Sequence, residues 1–143
     1  MIKRIFIDSD IILDLLAKRE PYYIYSSKLF TVIDKGDIIA CTSPLIFANL
    51  HYLLRKFTSN SSALKSLRKL KTLVNILPID EKVIEQSLNS DFNDFEDAIQ
   101  YFTAVNNGIS VLITRNKRDY KKSKIPILTA EEFIKTWKTT AKG

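Results

Sequence analysis

Three aspartates define the chemistry this chain could perform. Asp8 closes the short apolar run Ile5-Phe6-Ile7. Asp97 lies in the first turn of an amphipathic segment that opens at Asp94, and Asp119 follows the apolar run Val111-Leu112-Ile113 by six residues. Such runs read as buried parallel strands, and in open α/β sheets ligands sit just beyond the carboxyl ends of the strands. Three carboxylates converging on one edge repel one another unless a divalent cation lies between them. Mg²⁺ and Mn²⁺ favour oxygen ligands of this kind and keep several waters. A cluster like this can activate water and stabilise the charge on a phosphodiester in in-line displacement.

Each acid also has an ordinary structural use. Asp94 fits a helix N-cap, with Asp97 in the first turn where the helix dipole favours it. Asp80 fits a plain cap. Asp14 fits a solvated or locally bonded helix residue rather than a ligand, and His51 an ordinary partly buried histidine. Asp10, two residues after Asp8, places a further carboxylate at the end of the first strand.

The elements that position these groups follow from the pattern. Residues 4–8, 38–41, 75–79, 111–113 and 125–128 read as short buried strands. Helical segments fall at 11–18, 22–36 (ended by Gly36), from Pro44 through Leu54, across the leucines Leu64, Leu67, Leu70 and Leu73, from Asp80 to about Leu88, and over 94–107. A last helix opens at Thr129 with Glu131 and Glu132 in capping-box fashion. Strands separated by helices predict a parallel sheet covered on both faces. Residues 1–137 are expected to form one domain and 138–143 a frayed tail.

Composition narrows the classes. At 143 residues, 45% of them hydrophobic, the chain can bury a real core. Its only glycines, Gly36, Gly108 and Gly143, exclude a glycine-rich phosphate loop. A single cysteine, Cys41, excludes an intramolecular disulfide and a zinc-thiolate cluster, and a single histidine excludes a multi-histidine metal site. The net charge of +6 favours an anionic partner such as RNA. The basic residues cluster at Arg55-Lys56, 65–71 and 115–124. With no apolar stretch of transmembrane length and no signal-peptide pattern, a cytoplasmic protein without a membrane partner is expected.

Five segments in order carry a resemblance: IFIDSDIILDLL (5–16), TSPLIFANLHYLLRK (42–56), DFEDAIQYFTA (94–104), ITRNKRDY (113–120) and ILTAEEFI (127–134). Together they resemble the PIN-domain family, and within it the compact single-domain proteins related to VapC-type toxins. The resemblance spans residues 3 to about 135. It implies a three-layer α/β/α sandwich with a central parallel sheet of four to five strands. It also implies a ribonuclease that cuts single-stranded RNA with Mg²⁺ or Mn²⁺ held by Asp8, Asp97 and Asp119. Asn116 would hold a ligand water or phosphate, and Ser43 is a further phosphate or metal-water contact. Arg115, Lys117 and Arg118 would meet the RNA backbone, with Arg115 best placed to touch a phosphate. An antitoxin protein covering the site and a homodimer are the partners implied.

Two positions depart from the family pattern. Asp10 stands where the family usually has asparagine, and Asn49 where it usually has a catalytic glutamate. An amide can coordinate or orient but carries no charge, and Asp10 could restore the lost charge from another direction. This departure keeps open a PIN-like RNA-binding or regulatory module without catalysis. A more distant resemblance, of Asp8-Ser9-Asp10 to the nucleophile motif of haloacid-dehalogenase-like phosphatases, lacks that family's later lysine and acidic pair.

Overall fold

The computed structural model describes residues 3–142, with side chains described to residue 137. Its strands are β1 (Lys3–Ile7), β2 (Ile38–Thr42), β3 (Val74–Ile76), β4 (Leu112–Ile113) and β5 (Ile127–Leu128). They form one all-parallel sheet in the order β3-β2-β1-β4-β5. The flanking helices among the described residues are α1 (Ser9–Leu16), α2 (Tyr23–Asp34), α3 (Pro44–Phe57), α4 (Asn60–Lys71), α5 (Glu81–Leu88), α6 (Phe95–Asn106) and α7 (Ala130–Lys142). The architecture is the expected three-layer α/β/α sandwich. α7 is helical through Lys142, where a frayed tail was expected, and Gly143 lies outside the described residues.

β1 is the centre of the sheet because its sequence can be buried on both faces. Ile5, Phe6 and Ile7 are each 0% exposed, and burying side chains of this size contributes about 1.5–3 kcal/mol apiece. From β1 the chain first moves outward through β2 and β3. It then returns to place β4 on the other side of β1. A crevice therefore opens where the direction reverses, beyond the carboxyl ends of β1 and β4.

Local rules set the element ends. α1 begins at Ser9, two residues before the periodicity suggested, because the Asp8 carboxylate itself accepts the Ser9 N–H at 2.8 Å. α2 stops at Asp34, and Gly36 takes the positive φ of 83° that turns the chain toward β2. β3 is shorter than the run 75–79: Leu77 N still reaches Thr42 O at 2.8 Å, but Pro78 has no N–H to continue the ladder. Asp80 and Asp94 cap α5 and α6 by accepting from Val83 N and Asp97 N, both at 3.0 Å. Thr129 and Glu132 exchange reciprocal bonds at the start of α7, a complete capping box.

Candidate active site

The β1–β4 register pairs Ile7 with Ile113, so the residues that follow, Asp8 and Thr114, emerge side by side into the crevice. Asp8 is 8% exposed. Beyond its cap to Ser9 N, its Oδ2 accepts from Thr114 Oγ1 and from Tyr120 Oη, both at 3.1 Å. Tyr120 closes the 3-10 turn Lys117–Tyr120 and is itself buried, its ring edge-on to Phe92. The same hydroxyl lies 3.4 Å from Asp97 Oδ1 and so spans the carboxylates of β1 and α6. On the other side, Thr114 Oγ1 lies 3.2 Å from Asp10 Oδ2, which also accepts Arg115 N at 3.0 Å. Asp10 Oδ1 is buried and has no partner.

This network has fewer donors than acceptors. The hydroxyls of Thr114 and Tyr120 each have one proton, and each faces two carboxylates. No ion pair among the described residues neutralises Asp8, Asp10, Asp97 or Asp119. The electrostatics follow. Burial, then the Asp119 charge, push the Asp8 carboxyl above its ordinary range against the hydrogen bonds it accepts. Burial and Asp8 push Asp10 up to about 6. Burial, then the charges of Asp8, Asp94 and Asp119, push Asp97 up to about 7. Burial and the surrounding carboxylates drive the Tyr120 phenol well above its ordinary value, which keeps it a proton donor. The three aspartates singled out in the sequence thus act on one another electrostatically.

A divalent cation fits this donor set: all oxygen, short of protons and unpaired, with one buried oxygen unpartnered. Among the described residues no three His, Cys, Asp or Glu side chains are already gathered into a metal cage. Binding would therefore have to draw the carboxylates together.

The remaining sequence-derived residues divide. Asn116 is exposed at the mouth. Its N–H reaches Thr114 Oγ1 at 3.1 Å, and its carbonyl accepts Asp119 N at 3.0 Å. Asp94 serves as the α6 cap. Lys117 and Arg118 are exposed beside Asp119, with Lys117 Nζ paired to Glu132 at 3.0 Å. Ser43 does not reach the crevice. It is 0% exposed, caps α3 by accepting Ile46 N, and donates to Gln100 Oε1 at 2.7 Å, so the phosphate contact expected of it is not available.

The guanidinium of Arg115 is also engaged, contrary to expectation. It makes a two-point bond to Asp14 at 2.9 and 3.1 Å and lies 3.9 Å from the centroid of the Tyr22 ring. Asp14 is correspondingly not solvated: it is 0% exposed and takes a second guanidinium, Arg19, at 3.0 Å. His51 is partly buried, as expected, with Nε2 2.7 Å from Asn60 Oδ1.

Asn49 points its Nδ2 at Glu96 Oε2, 3.3 Å away. A carboxylate from the first turn of α6 therefore meets the amide that stands where the family pattern has an acid. Glu96, Thr114 and Tyr120 were not singled out for the site. Thr114 could have been found from strand register, since it follows β4 as Asp8 follows β1. The Glu96–Asn49 contact joins two helices, which a linear pattern does not show.

Comparison with known proteins bears on the family and the fold. Ribonuclease VapC1 of Aquifex aeolicus (strain VF5) is 25% identical over 142 residues, spanning 96% of this chain and 97% of that protein. Two solved structures share the fold. A toxin-antitoxin complex from Klebsiella pneumoniae has a TM-score of 0.65 at 22% identity, covering 87% of this chain and 96% of that one. FitAcB from Neisseria gonorrhoeae has a TM-score of 0.69 at 15% identity, covering 89% and 98%. The PIN domain family model matches residues 4–118, and the chain belongs to the PIN-domain family.

Proposed function

We propose that this protein is a metal-dependent endoribonuclease that hydrolyses phosphodiester bonds of single-stranded RNA. The observation that carries the reading is the proton-poor carboxylate cluster at the β1–β4 crevice, where Tyr120 Oη spans Asp8 and Asp97. Asp8, Asp97 and Asp119 would hold Mg²⁺ or Mn²⁺. When bound, the ion supplies Lewis-acid polarisation of the phosphate and a lowered pKa for an attacking water. The chain's own groups do the rest. Thr114 and Tyr120 orient the carboxylates by donation. Asp10, with one oxygen tied to Arg115 N and the other unpartnered, accepts a proton beside them. Asn49 and Glu96 together supply the polar group and the charge that one glutamate supplies in the family pattern, and Asn116 holds a water or phosphate oxygen at the mouth.

Arg118, Lys117 and the basic face of α4 (Lys65, Arg68, Lys69, Lys71) track the RNA backbone. The likeness to Ribonuclease VapC1 of Aquifex aeolicus supports the ribonuclease reading, and the likeness to the Klebsiella pneumoniae toxin-antitoxin complex supports an antitoxin partner in a toxin-like role. A homodimer acting in the cytoplasm completes the proposal. No described helix is long and apolar enough to cross a membrane. The phosphatase alternative loses ground, because Asp10 is held by Thr114 and the Arg115 backbone rather than free beside Asp8.

The test is cleavage of a labelled mixed-sequence RNA with Mn²⁺ or Mg²⁺ against EDTA. Asp8→Asn and Asp97→Asn are each expected to lower the metal-dependent rate by about a thousandfold, the size of several kcal/mol of charge stabilisation. A folded wild-type protein that cuts nothing in either metal would sink the catalytic reading and leave the RNA-binding or regulatory module that Asn49 suggests.

A further inference from the structure

Arg115 belongs to two neighbourhoods. Its backbone N–H serves Asp10, while its guanidinium forms one wall of a separate cavity of about 350 Å³ on the other side of Asp14. Tyr22, Tyr25, Ser26, Asn116 and Thr129 line the same cavity. The acid cluster and the Asp14–Arg115 pair leave this space unused in the mechanism above. Its size is that of a small-ligand site, and its walls combine two tyrosine rings with polar and charged side chains.

Three observations point to what it takes. First, the walls are layered. The Arg115 guanidinium lies 3.9 Å from the Tyr22 ring centroid, and Tyr22 is 42% exposed, so the layers end on an open face. Successive flat π and guanidinium surfaces are the platform on which nucleic-acid bases stack. Second, Ser26 is 0% exposed and its Oγ has no hydrogen-bond partner. A buried hydroxyl in a cavity wall is costly unless a ligand edge or a water meets it. Third, the two acids that line the cavity are both paired, Asp14 with Arg19 and Arg115 and Glu131 with Lys135, so three cations face two carboxylates around it. An anionic strand is favoured there.

The geometry points to a nucleobase subsite. An unpaired base of single-stranded RNA, next to the cleaved linkage, enters this cavity, stacks on the Tyr22–Arg115 layers and offers a polar edge to Ser26 Oγ. The inference rests on the RNA reading above and adds a specificity-determining site to it. Arg115 then has a role in RNA binding other than the phosphate contact expected of it: it holds the platform and connects it to the acid cluster.

The experiment uses the full chain in EDTA, so that nothing is cut. Fluorescence anisotropy measures its affinity for short single-stranded RNAs, intact or with one abasic position moved along the strand. NMR titration with nucleoside 5′-monophosphates and, separately, with N-acetyl-leucinamide reports on the amides of residues 22–26. Expected are a loss of about tenfold in affinity at one abasic position, absence of that loss in Tyr22→Ala, its retention in Tyr22→Phe, and nucleotide-induced shifts at 22–26. Tyr22 is half-exposed, so its removal should leave the fold intact, and the amide spectrum checks this. Wild-type binding that neither the abasic scan nor Tyr22→Ala alters overturns the subsite and leaves the ribonuclease reading standing. Failure of the wild type to bind any RNA overturns the subsite, and cleavage with Mn²⁺ or Mg²⁺ decides the ribonuclease reading separately. Shifts with the leucine amide but not with nucleotides overturn the subsite and reassign the cavity to a protein partner's side chain.

Discussion

Asp14 and Asp8 stand six residues apart, at opposite ends of α1, and both are buried. The protein treats them in opposite ways. Asp14 is enclosed by two guanidiniums, Arg19 at 3.0 Å and Arg115 at 2.9 Å. Asp8 has only a backbone N–H and two shared hydroxyls, and its neighbours Asp10, Asp97 and Asp119 add further negative charge. Burying a carboxylate is costly in both places. At Asp14 the compensation is internal and the result is structural: α1 is tied to the loop after β4. At Asp8 the compensation must come from outside, and that is what makes it a candidate functional site. A buried acid alone therefore says little; what distinguishes the two is whether the chain provides the cation.

The largest effect should come from removing the internal compensation. Replacing both Arg19 and Arg115 by methionine leaves Asp14 buried and unpaired, and should lower stability by about 3–5 kcal/mol in urea unfolding. Either single replacement should cost much less, because the other guanidinium remains. A double variant as stable as wild type would show that Asp14 is rehydrated or protonated at little cost, and the contrast with Asp8 would lose its basis.

The same contrast explains which parts of the molecule could be read from sequence. The strand runs, the caps at Asp80 and Asp94, and the capping box at Thr129 are local patterns; the caps and the box lie where their residues suggest, and each run holds a strand, though β3, β4 and β5 are shorter than the runs 75–79, 111–113 and 125–128. Asp8, Asp97 and Asp119 could be grouped as candidates from the sequence, because Asp8 and Asp119 follow apolar runs and Asp97 opens a helix, positions that face one edge of a parallel sheet. The partners of these acids were not legible. Arg115 stands next to the candidate site in sequence, and a phosphate contact was the natural expectation. Only folding shows that its guanidinium turns back to Asp14, 101 residues earlier. Ser43 looked available for the same reason, until the packing of α6 set Gln100 against it. Side-chain direction in loops and helix starts is fixed by long-range packing, and that information is not in the spacing.

A middle-sized effect follows from the pH dependence of the metal-free protein. The carboxyls of Asp97, at about 7, and Asp10, at about 6, lie above their values in the unfolded chain, near 4. The native state therefore keeps protons that the unfolded chain has already released. Their contribution to stability is complete below about pH 4 and is lost as pH rises through 6 and 7. In EDTA the melting temperature should fall between pH 5 and pH 8. After allowance for the half-exposed Asp97, the fall due to that residue should be roughly 5 °C. Asp97→Asn should flatten the profile, and Mg²⁺ should raise the melting temperature most at the alkaline end. An unchanged profile in Asp97→Asn would mean that its charge is already compensated, as Asp14's is.

The smallest effect tests the same principle on the basic side of the crevice. Lys117 and Arg118 are adjacent and both exposed, yet Lys117 Nζ is held by both oxygens of Glu132, at 3.0 and 3.2 Å, while Arg118 pairs with no carboxylate among the described residues. A cation already neutralised by its own chain displaces few counterions from RNA; an unpaired one displaces close to its full share. Measured in EDTA on an uncut single strand, Arg118→Ala should reduce the slope of log affinity against log salt by about 0.7. Lys117→Ala should reduce it by clearly less, because Glu132 already holds that ammonium and the Lys117–Glu132 pair as a whole carries no net charge to the strand. Equal reductions would show that the Lys117–Glu132 pair opens for RNA. Internal pairing would then predict which groups are structural in the buried part of the protein but not at its surface, where such pairs contribute little and exchange readily.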